Sequence, residues 1–516
     1  MRTLLLSKLH PTPDHLMLSI KSIPRTCVPF LVLLVVFLGQ VTCAVAQPFS
    51  DGLQIVSTDH GARDVYTADI DGDGDQDVIS GFTDGVRFSR NGNADSGNGD
   101  GSSWTTVRVS TSGFSNVVQA ADIDEDGDQD IISDTNSPIE WYQNEGGSGG
   151  GEGNSWNIIS IPEATVSGGA RGLLASDVDG DGDQDILFGV ESANEEFQYE
   201  INLYRNGDAT SGAGDGTSWS ESLVANITSG ELFDAFAADM DGDGDQDIIS
   251  ASSSGILWHR NGDSSGGGTG SSWSTVTVTE SGAESVFATD IDGDGDMDIL
   301  SASDNEGFVT LYRNGSIGTG DGSSWTSREI ASVNGAESVF AADIDGDGDQ
   351  DVMSASYFDN RIAWYENSDS GGDGLSWTVN EVSTSADGAL NVFASDVNGD
   401  GTQDILSAST DDNKIRWYEN TRTSIPVELV AFNARIRTET AVLKWQTASE
   451  QNNAGFEIQR RVSSGWEPIS FVEGAGTTSN PQTYRFQDSD LPYEASSIDY
   501  RLKQIDTDGS ASFSDV

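Results

Sequence analysis

Between Gly335 and Ser383 the chain alternates short apolar stretches with polar, turn-rich ones. "SVFAAD", "DVMSAS", "RIAWYEN" and "SWTVNEV" are each six or seven residues long and are bounded by Gly, Asn, Asp or Ser. Stretches of that length with such boundaries predict strands joined by hairpins, and no segment of helical period interrupts them. The reading is four strands, A to D, with the run "DIDGDGDQD" between A and B.

The same grouping recurs. The acidic run returns seven times, opening at Asp69, Asp122, Asp177, Asp239, Asp290, Asp343 and Asp396, with spacings of 53, 55, 62, 51, 53 and 53 residues. A period of this size with four strands per unit is that of a propeller blade. Strand C ends in Asn in every copy, at Asn91, Asn144, Asn206, Asn261, Asn314, Asn367 and Asn420, and four copies follow it with Gly, a turn pair. The aromatics just before it, among them Trp141, Trp258, Trp364 and Trp417, read as packing between blades. Strand D opens with Ser-Trp in six copies, at Trp104, Trp156, Trp219, Trp273, Trp325 and Trp377. The seventh copy has no strand D, whereas "LQIVSTDHGARDVYTADID" places a lone D-type strand ahead of the first copy. Pairing of Leu53 to Ser57 with the last strand C would complete a seventh blade from both ends and leave no free edge there.

Charge changes the picture. The formal net charge is -60, and the seven nine-residue runs alone hold 33 aspartates of the chain's 85 acidic residues. Such a surface repels nucleic acid and anionic lipid, so the partners expected are cations, neutral glycans or basic proteins. A disordered acidic chain is the alternative, and 12 Trp and 20 Phe in strand-like segments argue against it.

At the N-terminus, Lys21 and Arg25 precede the apolar run "VPFLVLLVVFLG", and Ala44-Val45-Ala46 follows it. Residues 1–46 therefore read as a secretory signal, with an apolar run shorter than the ~20 residues of a membrane-crossing helix. The expected location is secreted or cell surface. Both cysteines, Cys27 and Cys43, fall in this leader, so the exported protein has no disulfide and bound metal becomes the natural source of rigidity.

Counted from Asp69, carboxylates stand at positions 1, 3, 5 and 9 of the run, with Gly74 at 6 and a backbone carbonyl at 7. Alternate carboxylates around a glycine turn converge oxygens on one point, which suits a hard cation wanting six to eight of them. Calcium is favoured over magnesium on the flexibility and number of ligands, and zinc is disfavoured for want of His and Cys. A calcium helix-loop-helix would need Glu at position 12, where the first copy has Ser80, and the flanks here are strands.

The run D-x-D-x-D-G-x-x-D in its repeated setting resembles the FG-GAP or VCBS repeat family, the seven-bladed calcium-binding propellers related to the integrin alpha-subunit head. The resemblance covers residues 49–421. It implies an all-β fold and about seven calcium ions. The ligands it implies are Asp69, Asp71, Asp73, Asp75 and Asp77 in the first copy and Asp122, Asp124, Asp126, Asp128 and Asp130 in the second. Asp177, Asp179, Asp181, Asp183 and Asp185 follow, then Asp239, Asp241, Asp243, Asp245 and Asp247. The fifth and sixth sets are Asp290, Asp292, Asp294, Asp296 and Asp298, and Asp343, Asp345, Asp347, Asp349 and Asp351. The seventh departs, with Asp396, Asn398, Asp400, Thr402 and Asp404, and is expected to be weaker. Position 7 would act through its carbonyl. The Phe-Gly and Gly-Ala-Pro signatures of integrins are not evident, so adhesion to integrin ligands does not carry over.

Beyond Thr421 the acidic runs stop and alternating strands with Lys and Arg begin. Residues 424–516 read as a small β-sandwich, with Trp445 in an early strand and Tyr500 as a candidate tyrosine corner. "PVELVAF" and "YRLKQIDTDGSASFSDV" look like the fibronectin-type module of proteins exported by the type IX system of Bacteroidetes.

Outside the leader the histidines are His60 and His259, and neither a G-x-S-x-G run nor a zinc constellation is present. No catalytic residue is assigned. The expected function is a secreted, monomeric calcium-binding propeller that acts as an adhesion or ligand-binding module for a glycan or an extracellular protein, with no nucleic-acid partner and no membrane span. The alternative is a polysaccharide-degrading lyase or glycosidase on the same scaffold. An Arg, Lys and Tyr cleft would favour the enzyme, exposed aromatics the binder.

Overall fold

The computed structural model describes residues 49–513, except 93–98, 111–112, 136–138, 145–152, 154, 162–169, 192–197, 208–213, 215, 217, 263–267, 316–321, 323, 368–373, 422–428, 438–439, 448–449, 462–465, 479–481, 489–490, 492–497 and 507–510. The leader, and residues 192–197 between strands B and C of the third copy, lie outside the described residues. Every regular element among the described residues is a strand. No helix there is long and apolar enough to cross a membrane.

The repeats form four-stranded antiparallel sheets, each in the order A-B-C-D. In the sixth these are Ala336–Ala342, Asp351–Ser356, Arg361–Asn367 and Trp377–Ser383. Six such sheets are continuous in sequence. A seventh joins Ala389–Ser395, Asp404–Ser409 and Lys414–Tyr418 to Leu53–Ser57 from the other end of the region. Leu53 lies opposite Trp417 and Ser57 opposite Lys414. Phe49 bridges Asn420, and the Ser50 amide donates to the Glu419 carbonyl at 2.9 Å. The lone strand thus occupies the D position.

Strand B is buried along its whole length in the first, fourth, fifth, sixth and seventh sheets. Its apolar side chains meet a neighbouring sheet on either face, which explains runs such as "DVMSAS" with small residues between larger ones. One apolar core lies between each pair of consecutive sheets. A further one, with Val65, Val78, Leu406 and Trp417, joins the seventh to the first. Strand A of each sheet packs beside strand A of the next, and that of the seventh beside that of the first. This is a β-propeller arrangement. Trp141, Trp258, Trp364 and Trp417 are at most 2 % exposed, in the packing role expected for them. The six Ser-Trp tryptophans each open a strand D as read.

Residues 429–513 form two further sheets. One joins Leu429–Arg437, Thr440–Thr447 and Gln482–Asp488; the other joins Glu467–Thr478, Glu450–Arg461, Asp499–Asp506 and Ala511–Phe513. Leu443 and Trp445 from the first share a core with Phe456, Ile458, Tyr500 and Leu502 from the second. The Tyr500 hydroxyl donates to Asp488 Oδ2 at 2.8 Å, a side chain, where a tyrosine corner would use the backbone.

Candidate functional site: the acidic loops

The loop between strands A and B closes the same way in every copy. The position-1 carboxylate accepts the position-6 glycine amide, from Asp69 and Gly74 at 3.1 Å to Asp396 and Gly401 at 2.8 Å. The position-5 carboxylate accepts the amide of position 7, at 2.9 to 3.2 Å. Glycine at position 6 has φ between 86° and 105°, and a Cβ on Gly74 would meet nothing within 4 Å. The left-handed backbone, not lack of space, dictates the residue. Position 4 is also left-handed and is glycine except at Glu125, φ 57°.

Position 9 sits deepest. Its Oδ2 accepts the position-2 amide, and its Oδ1 accepts the amide of the strand-C asparagine, in all seven copies. Burial pushes these carboxyls up to about 7 in Asp130, Asp185, Asp247, Asp298 and Asp404 and to about 8 in Asp77 and Asp351. Asp179 and Asp347 are raised to about 6 and about 7 by burial and by the aspartates beside them.

The remaining oxygens converge. Ligand atoms of Asp69, Asp71 and Asp77 lie within 4.8 Å of one another, as do those of Asp177, Asp179 and Asp185. In the second, fourth and fifth loops the converging trio is positions 1, 3 and 5: Asp122, Asp124 and Asp126; Asp239, Asp241 and Asp243; Asp290, Asp292 and Asp294. Several of these oxygens are buried with no hydrogen-bond donor, among them Asp69 Oδ1, Asp73 Oδ2, Asp124 Oδ1, Asp241 Oδ1 and Asp243 Oδ2. A buried carboxylate oxygen without a donor is costly, and an oxygen-seeking cation removes that cost, so the donor set fits calcium. The position-7 side chain turns elsewhere: Asp75 accepts the Gly99 amide, and Asp245 accepts that of Gly268 at 2.5 Å, each pinning the hairpin between strands C and D. In the seventh sheet strand D comes from the other end of the region, and Thr402 Oγ1 lies 2.6 Å from Asp400 Oδ1 and 3.2 Å from the Asn420 carbonyl.

Three features were not read from the sequence. The strand-C asparagine is a staple between sheets. Its Nδ2 donates to the position-2 carbonyl of the preceding loop, as Asn144 does to Ile70 and Asn314 to Met240, and Asn91 donates to Val397 across the join of seventh and first sheets. The residue before that asparagine reaches the loop, as Arg90 does to Asp71 and Arg260 to Asp241. Third, strand A carries an aromatic three residues before each first aspartate in five sheets. Tyr66, Phe393, Phe340, Phe287 and Phe236 follow one another with centroids 4.6 to 4.9 Å apart. They line a cavity of about 960 Å³ enclosed by the strands A, with Gln119 and Leu174 at the same position in the other two. Arg63 and Arg171 line it too, and among the described residues no Lys does. Arg171 is paired to Glu231 at 3.1 Å, and Arg63 lies over the Phe114 ring.

His259 is sealed in the fourth sheet, with Nε2 at 2.8 Å from Ser250 Oγ and Nδ1 at 3.0 Å from Thr275 Oγ1. Burial lowers its pKa to about 4, and the pair packs the sheet.

Residues 69–133, 239–301, 290–354 and 343–407 match the family model of FG-GAP-like repeats. The chain carries FG-GAP-like repeats. No curated protein matches it. Solved structures similar to it include an Agrocybe aegerita lectin, described as specifically recognising non-reducing terminal N-acetylglucosamine: 18% identity over 67% of this chain and 85% of that one, TM-score 0.43. Another is BBS1N in complex with ARL6DN, at 11% identity over 73% of this chain and 99% of that one, TM-score 0.45.

Proposed function

We propose that the seven sheets of residues 49–421 are the blades of one closed calcium-binding propeller, that residues 424–516 form a fibronectin-like sandwich, and that the exported chain is a ligand-binding module at the cell surface. One observation carries the metal reading: in each of the first four loops, buried carboxylate oxygens converge without donors. Asp69, Asp71, Asp73 and Asp77, the Asp75 carbonyl and their counterparts would hold the ion, which would neutralise the loop and fix the hairpins around it. The binding role, for a glycan or an extracellular protein, is favoured over glycan cleavage by the aromatic arc, since Arg171 of the cavity is already paired to Glu231 and aromatic faces suit sugars and apolar side chains.

Metal analysis of the purified protein dialysed against millimolar calcium, corrected for the free ion in the dialysate, should find calcium close to seven per chain, and its absence would end the metal reading. A glycan array read with calcium and with chelator should show calcium-dependent binding that Phe340→Ala abolishes. Release of unsaturated or shortened sugars from the array instead would favour the lyase or glycosidase.

A further inference from the structure

We infer that the residue immediately before the strand-C asparagine sets the calcium affinity of its loop and sorts the seven sites into two classes. The inference rests on the calcium reading. That residue is Arg90, Gln143, Arg205, Arg260, Arg313, Glu366 or Glu419. Strand C returns past the loop, so in four copies this one position meets the position-3 carboxylate; in the third, Arg205 Nη1 donates instead to the Thr269 carbonyl at 3.4 Å and acts on Asp179 through charge alone. Arg90 Nε stands 2.5 Å from Asp71 Oδ2, and Arg260 Nε stands 3.0 Å from Asp241 Oδ2. Arg313 pairs with Asp292 Oδ2 through Nη2, and Gln143 Nε2 donates to Asp124 Oδ2 at 2.5 Å. The carboxylates so held are 1 to 3 % exposed in the three arginine pairs. The guanidiniums are themselves positioned by rings one turn of the pleat away, Arg260 over Trp258 at 4.4 Å and Arg90 over Phe88 at 5.7 Å.

A guanidinium at a would-be ligand acts as a resident counter-ion. It lets the loop fold without metal, and it opposes a divalent cation arriving at the same carboxylate. In the sixth and seventh sheets the position holds Glu366 and Glu419, so the sign is reversed. Counting the acidic residues of each nine-residue loop with this position gives -4 in the first, third, fourth, fifth and seventh copies and -6 in the second and sixth. The second owes its extra charge to Glu125 and to Gln143 replacing arginine. The seventh, ranked weakest on Asn398 and Thr402 alone, joins the main class once Glu419 is counted. A unit charge about 6 Å from a divalent ion changes affinity by roughly tenfold even in a water-like dielectric. Two tight sites and five weaker ones follow.

The test is a chelator-competition titration of the full chain with calcium. Glu366→Arg should leave the total near seven and move one site from the tight class to the weak one, by tenfold or more. Arg260→Gln, which copies the natural Gln143, should strengthen one site, and Arg260→Glu should strengthen it further. Melting at saturating calcium shows whether each variant is folded, and Arg260→Gln keeps the test open if Arg260→Glu is not. Seven sites whose affinities do not respond to these exchanges would overturn the inference and leave the calcium reading intact. Failure of the unaltered chain to bind calcium at all would overturn the reading itself.

Discussion

The repeated sheets and the two C-terminal sheets bury comparable strands and hold them by different means. In the repeats, polar side chains tie the sheets together at the loop end: the position-9 aspartate closes its own loop, and the asparagine it holds reaches into the preceding sheet. In residues 429–513 the sheets meet through aromatic rings and an ion pair that carries its own cation, Asp488 with Arg460. Trp445 stacks on Tyr484 with centroids 5.5 Å apart and meets Phe456 edge-on. A sheet whose links run through carboxylates can be tightened or loosened by ions, whereas one locked by rings cannot. If calcium binds as proposed, the difference puts the ion dependence in the repeats and not in the C-terminal sheets.

The largest effect should come from removing calcium. At tenfold excess over its dissociation constant each site contributes about 1.4 kcal/mol, so seven independent sites approach 10 kcal/mol. Hydrogen exchange on the whole chain with chelator should therefore strip protection from the strands of residues 53–418 while leaving Leu443, Trp445, Ile458 and Leu502 protected. Equal loss in both regions would erase the contrast.

Next in size is the staple. Asn314 Nδ2 donates to the Met240 carbonyl at 3.0 Å and to that of Met297 at 3.2 Å, and its Oδ1 accepts the Gly322 amide at 2.9 Å. Asn314→Ala strands these buried groups at a cost of about 3 kcal/mol. Denaturant melts at saturating calcium should show that loss, and a cost near zero would mean that the apolar layers alone hold the sheets in order.

How much of this was legible turns on sequence distance. The strand boundaries at Trp377, Asn367 and Asp351 were readable because turn residues and β-formers alternate locally, and the lone strand at Leu53 was readable because its copy elsewhere has a partner. The acidic loop was readable for the same reason: Asp69 to Asp77 are neighbours. The staple was not, since Asn91 and Val397 are 306 residues apart and the asparagine looked like a turn former. The pairing of Arg90 with Asp71 needed the register of strand C against the loop. A tabulation of the position before each asparagine would have shown Arg, Gln, Arg, Arg, Arg, Glu and Glu there. The aromatic arc left a clearer trace, Phe or Tyr three residues before the first aspartate in five copies, whose meaning depended on the strands A gathering around one cavity.

A third contrast concerns pH. Asp64 is buried on strand A, where its carboxylate accepts the amides of Val65 and, in the next sheet, Val118. Burial raises it to about 7, and Asp234, placed likewise in the fourth sheet, to about 6. A carboxyl whose folded pKa is raised stabilises the fold below its unfolded value near 4, and that contribution is lost as pH climbs through the folded value. At saturating calcium the repeat region should thus lose roughly 2 kcal/mol between pH 5 and pH 8 from Asp64. Asp64→Asn should flatten that slope in denaturant melts, and an unchanged slope would show that Asp64 titrates as it does in the unfolded chain.

The smallest effect sharpens the comparison from the other side. Asp488 in the C-terminal sheets is also buried and also accepts two donors, Tyr500 at 2.8 Å and Arg460 Nη1 at 3.0 Å. It differs from the position-9 aspartates in having a cation built in, so it needs no metal and imposes no metal dependence. Tyr500→Phe removes one neutral donor while Arg460 keeps the charge paired, and the expected cost is about 1 kcal/mol. Because burial and the neighbouring carboxylate push the Tyr500 hydroxyl far up, it stays a donor throughout the working range, and the cost should be the same at pH 5 and pH 8. It should also be the same with calcium and with chelator, when read as exchange protection at Leu502 and Trp445. A calcium-dependent cost would mean that the two regions share their stability, and the division between ion-tied and ring-locked sheets would then have to be given up.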